Sequence, residues 1–105
     1  MATDNFIVLA GQIDERPSFT ETADGRPVAE FWLKHTEQHF LVRVVGHQAN
    51  SIKRYWHPGA SVSLTGELTQ RTYPPKNGQA QRETYILARS LSYLSPRAVM
   101  EARPA

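Results

Sequence analysis

A chain of 105 residues with 40% hydrophobic residues is the size of one small domain and leaves no room for a second core. The absence of cysteine excludes a disulfide framework and a thiolate metal site, and fits a reducing compartment. The formal net charge of +2 is unevenly spread: residues 1–42 hold three basic against seven acidic side chains, and residues 43–89 hold seven basic against two acidic.

The N-terminal MATDNFIVLAGQ has no basic residue ahead of its apolar run, and Gly11 and Gln12 interrupt that run early. It therefore predicts neither a signal peptide nor membrane insertion, and the expected location is cytoplasmic. Asn5 to Ile13 predicts a strand with Ile7, Leu9, Gly11 and Ile13 on one face and Phe6, Val8, Ala10 and Gln12 on the other. Both faces are largely apolar, so the second needs a cover. A subunit partner on Phe6, Val8 and Ala10 is the expected cover, with the C-terminal tail as the alternative.

Asp14 to Pro27 is rich in charge, Thr, Pro and Gly, and Ala23-Asp24-Gly25 is a turn signal. Val28 to Lys34 predicts a second strand, with Ala29, Phe31 and Leu33 inward and Val28, Glu30, Trp32 and Lys34 outward. Trp32 beside Lys34 reads either as a stacking platform or as packing. After a polar connection over 34–38, His39 to Val45 predicts a third strand, with Phe40, Val42 and Val44 inward and His39, Leu41, Arg43 and Val45 outward. His35 and His39 have helical spacing, but strand and turn surround them, so no metal site and no cofactor are expected. A short helix follows in QANSIKRYW, with Asn50 or Ser51 as cap, Trp56 in the core and Pro58-Gly59 as the stop.

Ser61 to Tyr73 and Arg82 onward to Leu94 predict a long hairpin. Val62, Leu64, Gly66 and Leu68 share its core face, and Pro74-Pro75 with Asn77-Gly78 is expected to end the pairing and push out a loop. Arg71, Tyr73, Lys76 and Arg82 ring that loop, a mixture able to hold phosphates and stack a base; Arg43 and Arg89 add to the same electropositive half. Nine of the twelve basic residues are arginine, whose planar fork suits both contacts. The expected fold is all-β, a five-stranded OB-fold barrel with one short helix between the third and fourth strands, over residues 1–95. Residues 96–105 are expected to be a flexible C-terminal tail.

NFIVLAGQI followed by Pro17, GRPVAEFWL at 25–33, RYWHPG at 54–59, SVSLTGELTQRTY at 61–73 and NGQ at 77–79 occur in an order and spacing that resembles the bacterial single-stranded-DNA-binding protein family. The resemblance implies an OB-fold that oligomerises, with a homotetramer favoured over a homodimer, and that wraps single-stranded DNA without sequence preference in replication, recombination or repair. It also implies association with the nucleoid. Tyr73 stands where the family has a stacking tryptophan, and His39 stands at another such position. Val45 replaces a usual phenylalanine, the hairpin before His39 is short, and the sequence ends in MEARPA where bacterial members carry an acidic tail that recruits replication proteins. These departures bring the chain closer to short OB-fold relatives such as the dimeric primosomal replication protein and the tailless members of cyanobacteria and plastids, for which a plastid stroma is the alternative location.

Two function classes follow. The leading one is a non-enzymatic single-stranded-DNA-binding module; the alternative is an OB-fold interaction protein that docks replication proteins. A hydrolase finds no support, because Asp14-Glu15 is the one adjacent acidic pair and no two-metal set can be read from the spacing.

Overall fold

The computed structural model describes residues 4–76 and 78–94; the expected tail at 96–105 lies outside the described residues, and so does Asn77 of the expected turn. Six strands and one helix follow in order: β1 (Ile7–Ile13), β2 (Ser18–Glu21), β3 (Pro27–His35), β4 (Gln38–Val45), α1 (His47–Tyr55), β5 (Ala60–Lys76) and β6 (Gln79–Leu94). They form one sheet in the order β1-β5-β6-β4-β3-β2, and an additional β1–β3 pairing joins β1, β5, β6, β4 and β3 into a ring. All neighbours are antiparallel except β4 and β6, which meet in parallel at Val42↔Ile86 and Arg43↔Leu87. With α1 between the third and fourth strands of the ring, this is the expected all-β OB-fold.

Alternation places the core. Ile13, Phe31, Leu33, Val42, Val44, Val62, Leu64 and Ile86 are buried inside the ring, and Ala49 and Ile52 of α1 cover one end. Trp56 is half-buried against this cluster, and its Nε1 donates to the Ile13 carbonyl at 3.3 Å. The ring closes at Gln12↔Lys34 and Ile13↔Leu33, where a Cβ on Gly11 would lie 2.2 Å from the Lys34 carbonyl oxygen. His35 Nδ1 donates to the Ala10 carbonyl at 2.9 Å and pins the end of β3 to the same strand. At the far end of β1, the Asn5 side chain takes the place of a strand residue: Nδ2 donates to the Leu68 carbonyl and Oδ1 accepts from the Leu68 amide, both at 2.8 Å. Beyond Leu68, β5 leaves the ring and pairs with β6 alone.

Several expectations are corrected. The 14–27 segment holds a strand: β2 pairs with β3 from Ser18↔Glu30 to Glu21↔Pro27, with Phe19 packed against the core, before the Thr22–Arg26 turn in which Gly25 takes φ 87°. Val28 is buried, since α1 with Ala49, Asn50 and Lys53 lies beside that end of β3 together with Phe19 and Thr20 of β2. The 34–38 connection is a tight reversal, since pairing reaches His35↔Gln38. Helix α1 starts at His47 behind Gly46, with no side-chain cap, so neither Asn50 nor Ser51 begins it. Leu68 is 49% exposed, because by that point the hairpin has outrun the core. Pro74 and Pro75 do not end β5: they fill a register shift between Tyr73↔Gln81 and Lys76↔Gln79, where missing amide donors cost no ladder bond.

Two outcomes follow from this packing. Gly11→Ala drives a methyl into the Lys34 carbonyl and should destabilise the fold by about 2 kcal/mol, read by urea unfolding. Tyr93, whose hydroxyl donates to the Ser51 carbonyl at 3.2 Å, has its pKa pushed up by burial to about 12. In that window the unfolded phenol is ionised while the folded one keeps its proton, so stability is full below about pH 10 and falls as pH rises towards 12. Thermal melts of Tyr93→Phe should show a shallower decline over that window.

Candidate nucleic-acid interface

The outward face of β3, β4, β6 and the far half of β5 is one continuous surface, because the registers line up residue by residue. Lys34 opposes His39, Trp32 opposes Leu41, and Glu30 opposes Arg43, which in turn neighbours Leu87. Along the hairpin, Leu87 opposes Glu67, Tyr85 opposes Thr69, Glu83 opposes Arg71, and Gln81 opposes Tyr73. Trp32, Lys34, His39, Arg43, Arg71 and Tyr73, scattered over forty-two positions of sequence, therefore share this face. Trp32 is 46% exposed and Tyr73 is 39% exposed, so both rings can be reached by a flat ligand.

The arginines are not free. Arg71 donates from Nη1 to Glu30 Oε2 at 2.6 Å, from Nη2 to Glu30 Oε1 at 3.3 Å and from Nε to Glu83 Oε1 at 2.8 Å, with a further Nη2–Glu83 bond. Hydrogen bonding by Glu30, then by Glu83, holds the guanidinium pKa above its ordinary value, so Arg71 is charged at every pH the fold survives. Its Cζ also lies 5.5 Å from the Tyr73 ring centroid and 5.4 Å from that of Tyr85, while the Tyr73 hydroxyl donates to Glu83 Oε1 at 3.2 Å. Arg43 Nη1 stands 3.9 Å from Glu30 Oε2, and Arg89 Nη2 lies 2.8 Å from Glu67 Oε1.

Of the remaining basic candidates, Lys34 and Arg82 join none of the salt bridges among the described residues. Arg82 opposes Thr72 and by alternation leaves the hairpin on the face opposite Tyr73, so it does not flank that ring as expected. Lys76 closes β5 beside the turn, opposite Gln79. Sequence reasoning missed Glu30, Glu83 and Tyr85. Glu30 lies 41 positions from Arg71 with no local signal between them, whereas Glu83 and Tyr85 belong to the hairpin strand already identified.

An OB ring with exposed rings and cations along one sheet face defines a class of single-strand-binding modules. A model of the Single-strand binding protein family matches residues 4–94, and the chain belongs to that family. It is similar to Single-stranded DNA-binding protein 2 of Staphylococcus aureus, 30% identical over 104 residues that cover 89% of this chain and 74% of that protein. Single-stranded DNA-binding protein 1 of S. aureus is 28% identical, with 89% and 67% covered. The Single-stranded DNA-binding protein of Bacillus cereus is also 28% identical, and there the match spans 61% of that protein's length.

The Arg71 cluster is partly shielded from water, which makes its pairs worth more than surface ion pairs. A double-mutant cycle with Arg71→Gln and Glu30→Gln should give a coupling of about 1 kcal/mol in unfolding free energy. A coupling near zero would show the pair to be incidental.

Proposed function

We propose that this chain binds single-stranded DNA without sequence preference, as a protein of replication, recombination or repair with no reaction of its own. The observation that carries the reading is the shared face of Trp32 and Tyr73, two exposed rings on one side of a sheet whose register also brings Lys34, His39 and Arg43 there. Bases stack on the rings whatever their identity, while cations track the backbone. Lys34 is the phosphate contact this reading favours on that face, with Lys76 at the hairpin tip and Arg82 reached only on the hairpin's other side. The family and its bacterial relatives support a cytoplasmic, nucleoid-associated setting in which replication proteins are partners.

Self-association belongs to the same reading. Phe6 is 73% exposed and Val8 67% exposed, and Ala10 beside them is open too, on the strand next to a mostly unpaired edge of the ring. Apolar side chains in that number are covered when two β1 strands meet, which also removes the edge. Two such pairs give the favoured homotetramer, and one pair gives a homodimer.

A second reading has one observation in its favour: Arg43, Arg71 and Arg89 all face carboxylates, which weakens the attraction of this face for phosphate. On that reading the OB ring docks replication proteins and binds DNA weakly or not at all.

Titration with oligo-dT decides between them. Tyr73→Ala should weaken binding roughly tenfold, since one stacked base contributes about 1–3 kcal/mol, and Tyr73→Phe should bind like the parent. With two or three phosphates contacted, log K should fall with log salt at a slope of about −2; a parent chain that ignores oligo-dT favours the docking reading. Sedimentation should show an oligomer at micromolar concentration for the parent and a smaller species for Val8→Lys, and an unchanged mass would remove β1 as the interface.

A further inference from the structure

Three planar groups stand in a row on the hairpin: the ring of Tyr85, the guanidinium of Arg71 and the ring of Tyr73. Arg71 Cζ lies 5.4 Å from one ring centroid and 5.5 Å from the other, so it sits between them. Its charge is already met. Glu30 takes two of its nitrogens and Glu83 takes Nε, and a phosphate arriving at Arg71 would have to displace carboxylates held in good geometry. The two glutamates balance Arg71 and Arg43, so the centre of the face has no net attraction for an anion. What this cluster offers a nucleic acid is flat surface. Tyr85 is half-buried on the same face as Tyr73, opposite Thr69, four residues of β5 before Tyr73. With Arg71 Cζ within 5.5 Å of both centroids, the two rings are no more than about 11 Å apart, and bases stacked about 3.4 Å above each can still be separate ones.

We propose that Tyr85 is a second base-stacking residue and that Arg71 is a positioning residue, locked by Glu30 and Glu83, that holds the Tyr73 and Tyr85 rings in line instead of holding a phosphate. The proposal rests on the single-stranded-DNA reading above and adds two roles to it. Stacking along the hairpin then depends on a clamp that joins three strands, because Glu30 belongs to β3, Arg71 to β5 and Glu83 to β6.

The test uses the whole chain and oligo-dT. Tyr85→Leu, which keeps apolar bulk but removes the ring, should weaken binding about five- to tenfold with little change in melting temperature, and Tyr85→Phe should bind like the parent. Arg71→Gln should also weaken binding while leaving the salt slope unchanged, whereas a phosphate-holding arginine would lower that slope by about 0.7 on its loss. Tyr85→Trp adds a reporter: its extra emission should be quenched by oligo-dT, and this reading stands even if the leucine variant fails to fold. Binding by Tyr85→Leu at the parent's affinity, emission at position 85 indifferent to DNA, or a slope lowered by Arg71→Gln would each overturn the proposal while the parent's own binding keeps the DNA reading intact. A parent chain that does not bind oligo-dT overturns both.

Discussion

The architecture depends on the place where β1 passes from β5 to β3. There the ring closes through only two residue pairs, and the Lys34 carbonyl comes so near Gly11 that no side chain can stand between them. Closure at this point separates an inside from an outside, and every alternating strand must choose between them. The outside then divides. One part follows β3, β4, β6 and the outer half of β5 and carries Trp32, Arg71, Tyr85 and Tyr73; the other is the open side of β1, with Phe6 and Val8. A ligand on the first part and a second copy of the chain on the other need not compete, because β1 holds the two surfaces apart.

Charge and aromatic surface play different parts on the first face. Its arginines would draw a phosphate backbone if they stood alone, but Glu30, Glu67 and Glu83 meet them at hydrogen-bonding or near-contact distance. Ion pairs so close cancel at the range of a Debye length, and salt then has less to screen. On the proposed reading, the free energy available for a single strand on this face is weighted towards stacking, with phosphate attraction left to Lys34 at its periphery and Lys76 at the hairpin tip. The same clamp stiffens the hairpin at its base, since a side chain from β5 that is bonded into β3 and β6 resists splaying of the strands.

Much of the ring could be read from the sequence because burial imposes a period of two on NFIVLAGQI, on VAEFWLK and on HFLVRVV, and those strands are where the alternation placed them. Strand β2 escaped because four residues with a single large apolar side chain, Phe19, carry too little periodicity to stand out from a charged, proline-rich segment. The hairpin was half legible. Pro74-Pro75 reads as a break, yet it is a bulge, and this bulge decides the site: counting back evenly from Lys76↔Gln79 would set Arg71 opposite Thr84, but the shift sets it opposite Glu83. A slip of one residue exchanges the faces, so the partner of Arg71 and the outward direction of Tyr85 could not be counted from the turn. Glu30 was out of reach for another reason: it meets Arg71 only because β4 and β6 pair in parallel and bring β3 alongside the hairpin.

On the proposed reading a single strand lies on the β3-β4-β6-β5 face, across the Arg71 clamp, and not on β1. Amide chemical shifts of the nitrogen-labelled protein, followed while oligo-dT is added at moderate salt, test this most directly. The predicted result is a connected set of changes through Trp32, Arg43, Arg71, Tyr73 and Tyr85, with the indole signal of Trp32 moving and the amides of Val8 and Ala10 still. Changes confined to β1, or a Trp32 indole signal that does not respond at saturation, would contradict it.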